Sequence, residues 1–247
     1  MKADPAAQAA LLEVQALDSR ADQLRYQRSH LAELAEIASL TASRSRDDDE
    51  RRDQQIVVDD LNAAQRKADL DVEQVKARRA RDADRMAQGL ITNPRDLERM
   101  QQELGSLERR ISVLEDEELE IMERVEEAQG RLDELTQRVA GSDERLAELA
   151  AVRDEKTAAI DAELTTLAAE REPVAAGLPD DLTALYERLR ASKGGVGAAA
   201  LRQRRCTGCQ LGIDNAELAV IRAAADDEVL RCEECQRILV RVEDSGL

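Results

Sequence analysis

The chain reads as mainly α: a long antiparallel coiled-coil hairpin of two helices, followed by a small strand-bearing module at the C-terminus. Three observations carry this reading. Only two of the 247 residues are aromatic, Tyr26 and Tyr186, with no Phe or Trp; aromatics normally supply much of a thick globular core, so long amphipathic helices are favoured over a sandwich or barrel. A heptad of apolar residues runs from residue 97 onwards. The only four cysteines stand in two C-x2-C pairs, Cys206/Cys209 and Cys232/Cys235.

The heptad sets the second helix. One register reads Leu97, Leu104, Ile111, Glu118, Val125, Leu132, Val139 and Leu146. Its companion reads Met100, Leu107, Leu114, Ile121, Ala128, Leu135, Ser142 and Leu149. After Leu149 the stripe resumes at Ile160, Leu164 and Leu167, shifted by a stutter that locally unwinds a supercoil. Glu118 and Ser142 are polar seam positions that act on register or bending. Asn93 is placed to cap this helix, with Pro94 at its first position and Asp96 in its first turn. Pro173, Gly177 and Pro179 end it.

The first helix is less regular. Val14, Leu17, Ala21, Leu24, Leu31, Ala35 and Ala38 make one stripe, and Leu61, Ala64, Ala68 and Val75 another. Between them Ser43–Gln55 is almost wholly polar; it reads as a solvated helical face, a kink or a short break, with a continuous or kinked helix favoured. Gly89 ends this arm, so residues 88–93 form a turn. Two arms of about 80 residues, each ~120 Å long at 1.5 Å per residue, are then forced antiparallel by a short connection. Parallel dimerisation is the rival pairing, but the turn makes the intramolecular partner far more concentrated. The expected division is a hairpin over 1–175, a short amphipathic helix (Asp180–Ser192) with its linker over 176–200, and a cysteine-bearing module over 201–247.

The cysteine spacing points to a metal. Two residues between thiolates make a tight knuckle, and a second knuckle about twenty residues on completes a tetrahedron. Disulfides, a redox C-x-x-C and a rubredoxin-like iron site are the alternatives. The N-terminus MKADPAAQAALLEV has no apolar signal-peptide core, and a cytoplasmic chain keeps its thiols reduced. One structural Zn²⁺ held by Cys206, Cys209, Cys232 and Cys235 is therefore expected. With every position filled by protein, hydrolytic zinc chemistry is disfavoured. The only histidine, His30, reads as a solvent-facing helix residue. Arg237–Val242 (RILVRV) alternates as a strand does, and two knuckles joined to short strands make a zinc ribbon.

Charge narrows the function classes. The formal net charge is -17, which opposes a broad nucleic-acid surface. The acid is concentrated in residues 91–192, which hold 26 acidic side chains against 13 basic. Near the turn the balance reverses: Arg78, Arg79, Arg81, Arg85, Arg95 and Arg99 gather there as candidate partner contacts, against a solvated charged surface as the plain alternative. In the C-terminal module Arg202, Arg204, Arg205, Arg231, Arg237 and Arg241 flank the knuckles as candidate contacts to nucleic acid or a protein partner. No aromatic is available there for base stacking. No apolar run approaches a membrane span, and no phosphate-binding loop or catalytic Ser/His set is present.

Two segments, NPRDLERMQQELGSLERRISVLEDEELEIMERVEEA and the C-terminal CTGCQLGI…IRAAADDEVLRCEECQRILV, resemble the bacterial family of coiled-coil hairpin proteins with a C-terminal four-cysteine zinc ribbon. That family includes chaperones or adaptors of flagellar and type III secretion systems. One departure is Gln236, where a glycine often follows the last cysteine. The resemblance, with the absence of catalytic groups, implies a cytoplasmic, non-enzymatic zinc-binding adaptor or chaperone with one or more unidentified protein partners. RNA or DNA binding through the ribbon arginines is the alternative. No membrane and no small-molecule substrate are expected.

Overall fold

The computed structural model describes residues 1–247. Five helices and four strands follow one another as α1 (Pro5–Ser29), α2 (Ala32–Ala87), α3 (Pro94–Ala176), α4 (Asp180–Ser192), β1 (Ala198–Arg202), β2 (Arg205–Cys206), α5 (Asn215–Ala223), β3 (Leu230–Arg231) and β4 (Ile238–Arg241). The chain forms two compact units. One comprises Met1–Leu34 with Ala151–Leu247, and the other Ala35–Ala150.

The Ala35–Ala150 unit is a two-helix antiparallel hairpin. Its α3 side follows the heptad: Leu114, Ala128, Leu132, Val139 and Leu149 are buried, and the remaining seam positions between 97 and 149 are half-buried. The turn is built as its residues dictate. Gly89 sits at φ 65°, a left-handed value that only glycine takes without strain. The Asn93 side chain accepts from the N–H of Arg95 at 3.1 Å, capping α3 ahead of Pro94.

The α2 side shows why its periodicity was hard to read. Its inward line runs Ile37, Leu40, Arg44, Asp47, Arg51, Gln54, Val58, Leu61, Gln65, Ala68, Val72, Val75, Arg79, an unbroken heptad of buried or half-buried residues. The polar stretch 43–55 is continuous helix, and it fills the seam with hydrogen-bonded groups instead of hydrocarbon. Arg44 Nε donates to Asp143 at 2.9 Å, Asp47 pairs with Arg138 across the seam, and Gln54 Nε2 donates to the Ala128 carbonyl at 3.0 Å. Among the residues expected to line the first arm, Ala64 is exposed, its place in the seam taken by Gln65, and Ala35 and Ala38 are exposed too. The reason for the last two is a break at His30–Leu31, outside the stretch suspected: α1 ends at Ser29 and the register restarts in α2. His30 is exposed at the α1 C-terminus, where its ring stacks on Tyr26 with centroids 3.9 Å apart.

The other unit packs α1, α4 and the end of α3 around a four-stranded sheet of order β2-β1-β4-β3. β1 and β4 run parallel, with Ala199 beside Leu239 and Ala200 beside Val240. This central pair is covered on both faces. Ile238, Val240 and Ala198 join Leu11, Val14, Leu182, Tyr186 and Leu189 in one core. Leu239, Leu201 and Ala199 join Leu218, Ile221, Cys206 and Cys232 in the other. Alternate residues of one strand thus serve two cores. The sheet starts at Ala198, ahead of the boundary expected at 201, because Ala198–Leu201 are the pairing partners of β4.

The N-terminus joins this unit too. The Ala3 N–H donates to the Asp227 carbonyl at 2.7 Å and the Val229 N–H to the Met1 carbonyl at 3.1 Å. Beneath it, Asp18 is buried on α1 and receives Arg171 Nε at 2.7 Å and the Tyr186 hydroxyl at 2.7 Å. Burial, aided by that hydrogen bond, pushes the Tyr186 phenol well above its ordinary range, so it stays a donor. No helix of the protein is long and apolar enough to cross a membrane.

Candidate metal centre

The four cysteines converge. Two C-x2-C segments lie on either side of β4, and each folds into the same turn. The Cys206 N–H donates to the Leu211 carbonyl at 3.0 Å and the Gln210 N–H to the Cys206 carbonyl at 2.8 Å. In the second segment Cys232 N–H reaches the Arg237 carbonyl at 3.0 Å and Gln236 N–H the Cys232 carbonyl at 2.8 Å. The residue after each pair is left-handed, Gln210 at φ 64° and Gln236 at φ 63°. Such a backbone costs a non-glycine residue about 1 kcal/mol. Each glutamine side chain offsets part of this by donating to the carbonyl three residues back, Thr207 at 2.6 Å and Glu233 at 2.8 Å. The substitution for glycine at 236 is thus accommodated by the pattern already present at 210.

The sulfurs fit one ion. Cys206 Sγ lies 3.9 Å from Cys235 Sγ, and Cys209 Sγ 3.9 Å from Cys232 Sγ; all four lie within 4.8 Å of one another. A regular tetrahedron with Zn–S bonds of about 2.3 Å has edges of about 3.8 Å. A disulfide would need about 2.05 Å, and all four thiols are free. The surroundings suit negative sulfur. Backbone N–H groups of Gly208 and Cys209 point at Cys206 Sγ, and those of Glu234 and Cys235 at Cys232 Sγ. Burial nonetheless pushes the Cys206 thiol up to about 12 and raises Cys232 as well. At Cys235 burial pulls upward too, but hydrogen bonds from the Arg237 backbone and side chain and from the Cys232 and Cys206 thiols together outweigh it and bring the thiol down to about 7. A bound cation would hold all four as thiolates.

Arg237 is the strut of the centre. Its guanidinium donates to three carbonyls, Val196 at 2.8 Å, Lys193 at 2.8 Å and Gly208 at 3.2 Å. Gly208 has no room for a Cβ, which would lie 2.8 Å from Arg237 Cδ. Arg241 caps α5 by donating to Ala224 at 3.0 Å and Ala225 at 2.6 Å. Arg231 donates to the Gln236 carbonyl at 2.8 Å, bracing the second knuckle. Arg202 pairs with Asp244 at 3.2 Å. Of the six ribbon arginines singled out by sequence, only Arg204 and Arg205 make no side-chain hydrogen bond or ion pair.

The arginines near the turn divide similarly. Arg78 pairs with Glu103 and Arg79 with Glu108 across the hairpin. Arg99 lies 3.8 Å from Asp96 on its own helix. Arg81, Arg85 and Arg95 make no ion pair.

Residues 14–194 match the family model of the CT398-like coiled coil hairpin domain, and residues 205–239 that of the C4-type zinc ribbon domain. The chain belongs to the CT398-like coiled-coil hairpin family. A solved structure from Mycobacterium smegmatis shares 34% identity with it, covering 98% of this chain and 100% of that one, at a TM-score of 0.84. CT398 of Chlamydia trachomatis shares 17% identity over 96% of this chain and 98% of its own, with a TM-score of 0.69, a likeness of fold. HP0958 of Helicobacter pylori shares 14% over 96% and 97%, with a TM-score of 0.51. Among curated proteins, an uncharacterized protein of Mycobacterium tuberculosis is 56% identical over 59 residues, 24% of each chain. The matched stretch therefore spans about a quarter of that relative's length. As in the zinc-ribbon model it matches, this CT398-like chain brings together four cysteines suited to a metal.

Proposed function

We propose that this protein is a non-enzymatic, cytoplasmic adaptor or chaperone, in which one structural zinc ion fixes the ribbon while the helical hairpin and the ribbon surface engage protein partners. The observation that carries the reading is the sulfur tetrahedron. Cys206, Cys209, Cys232 and Cys235 supply all four positions at the spacing zinc requires, so the ion they would hold has no site left for water or substrate. Zinc would contribute folding free energy and geometry, and Arg237 would hold the two knuckles in register. Four free thiols in a C4 set suit a reducing compartment.

The test is capture from native cells. Full-length tagged protein is used as bait beside a C206S/C232S variant and a variant in which residues 84–98 are replaced by a neutral turn. Specific proteins recovered by wild type and lost with one variant support the reading and assign the surface. Turnover of a small molecule that tracks zinc content would overturn it.

A second reading is favoured by one local feature. Gln203 (φ 47°) and Arg204 (φ 62°) form a left-handed two-residue turn between β1 and β2. This turn presents Arg204 and Arg205 without partners beside the first knuckle, an arrangement suited to phosphate. Nucleic-acid binding on this basis requires affinity that falls steeply with salt and vanishes in R204E/R205E.

A further inference from the structure

We propose that the groove between α2 and α3 next to the turn is a docking site for an acidic amphipathic helix of a partner protein. This deepens the adaptor reading and rests on it. The groove lies wholly within the Ala35–Ala150 unit and has a volume of about 550 Å³. Its apolar lining comes from exposed Ala77 and from Val75 and Leu107, seam residues that two helices leave only half-buried. A third helix is what would finish covering them, in the way an apolar helix face seats in a groove.

The rim says what kind of helix. Arg78, Arg81 and Arg110 line the groove and no carboxylate does. Arg78 is engaged by Glu103. Arg81 and Arg110 are exposed and make no hydrogen bond or ion pair in the protein. On a chain of net charge -17, two free guanidiniums over an apolar floor form a local positive site in a negative field. That contrast steers and selects an anionic ligand and repels further copies of this acidic chain. The neighbouring cations show the difference: Lys76 lies 2.8 Å from Glu115 and Arg79 3.2 Å from Glu108, both consumed within the hairpin.

The experiment uses full-length, zinc-loaded protein and fluorescence anisotropy. The probe is a labelled twenty-residue helical peptide with leucines on one face and glutamates on its flanks. Comparators are its Leu→Gln and Glu→Gln versions and a twenty-nucleotide RNA. Wild type is expected to bind the acidic leucine peptide and neither altered peptide. R81E/R110E is expected to weaken binding about tenfold or more, since two attractions become repulsions. R95E/R99E makes the same charge change at the turn outside the groove and is expected to leave binding within about twofold. Unchanged helical circular dichroism establishes that both variants fold. Absence of peptide binding, or equal loss in both variants, overturns the site. RNA that binds in place of the peptide and is lost in R81E/R110E overturns the proposed occupant. Partner capture from cells without peptide binding leaves the adaptor reading standing and rejects the groove. Peptide binding without any cellular partner does the reverse.

Discussion

At the scale of single residues, the metal centre rests on side chains that do no metal chemistry. Arg237 spans three carbonyls in two segments, a pattern that needs the planar fork of guanidinium. R237A is expected to destabilise the zinc-loaded ribbon by about 2–3 kcal/mol, because charged hydrogen bonds are lost and partly buried acceptors stranded. R237K should recover less than half of this, as followed by thermal unfolding and zinc competition with a chromogenic chelator. Full recovery by lysine would show that charge alone matters. The left-handed glutamines give a second check. Gln236→Gly should shift stability by less than about 1 kcal/mol, relief of backbone strain offsetting the lost amide bond. Gln236→Val should cost at least about 1–2 kcal/mol, since a β-branched residue is poorly tolerated there. The cysteines themselves were fully legible from spacing. The strut role of Arg237 and the capping role of Arg241 were not, because sequence marks a cation but not the carbonyls that face it.

At the scale of elements, polar seam positions set the character of the hairpin. Glu118 sits half-buried in the α3 seam, and burial together with the neighbouring Asp69 raises its pKa. A carboxyl whose folded pKa lies above its unfolded one destabilises when ionised, so its contribution improves as pH falls through the folded value. Glu118→Leu should therefore raise the melting temperature at pH 7, and the gap to wild type should narrow toward pH 4. A gap independent of pH would remove the electrostatic account. Asp48 and Asp143 work in the opposite sense. Hydrogen bonds from Arg51 and Arg44 respectively lower them, so their stabilisation is present above the unfolded pKa near 4 and is lost as pH drops through the lower folded values. The α3 heptad, the cap at Asn93, the turn and α4 could be read directly, since apolar period and capping chemistry are explicit there. The α2 register could not. Arg44, Asp47, Arg51 and Gln54 occupy inward positions, and a hydrophobicity pattern treats them as surface. The break at His30 carries no Pro or Gly to mark it in the sequence. The Asp18 cluster was equally hidden. Asp18 also lies 3.5 Å from Arg190; Asp18→Asn should cost about 2–4 kcal/mol by removing the buried charge that Arg171 and Arg190 share and leaving them only the more exposed Glu187 and Asp22, whereas Tyr186→Phe should cost about 1 kcal/mol.

At the scale of the molecule, the two units answer differently to metal. A ribbon of this size has too little core to hold itself, and its β1–β4 pair is also a wall of the core formed by α1 and α4. Loss of zinc should therefore spread beyond residues 201–247. In hydrogen exchange, chelation is expected to deprotect Ala198–Val240 together with the first half of α1 and α4, while residues 35–150 keep their protection. Deprotection confined to residues 201–247 would mean that the core of α1 and α4 holds without β4.

The same wall bears on the order of events during synthesis. Leu11 and Val14 leave the ribosome early, yet Ile238 and Val240, which they cover, follow more than two hundred residues later. At about 5–20 residues per second this leaves α1 waiting on the order of ten to forty seconds with its apolar side bare. The Ala35–Ala150 hairpin has no such delay, because both of its arms are translated before the strands. A nascent chain stalled before Cys206 should therefore carry a protease-resistant hairpin and a vulnerable first helix.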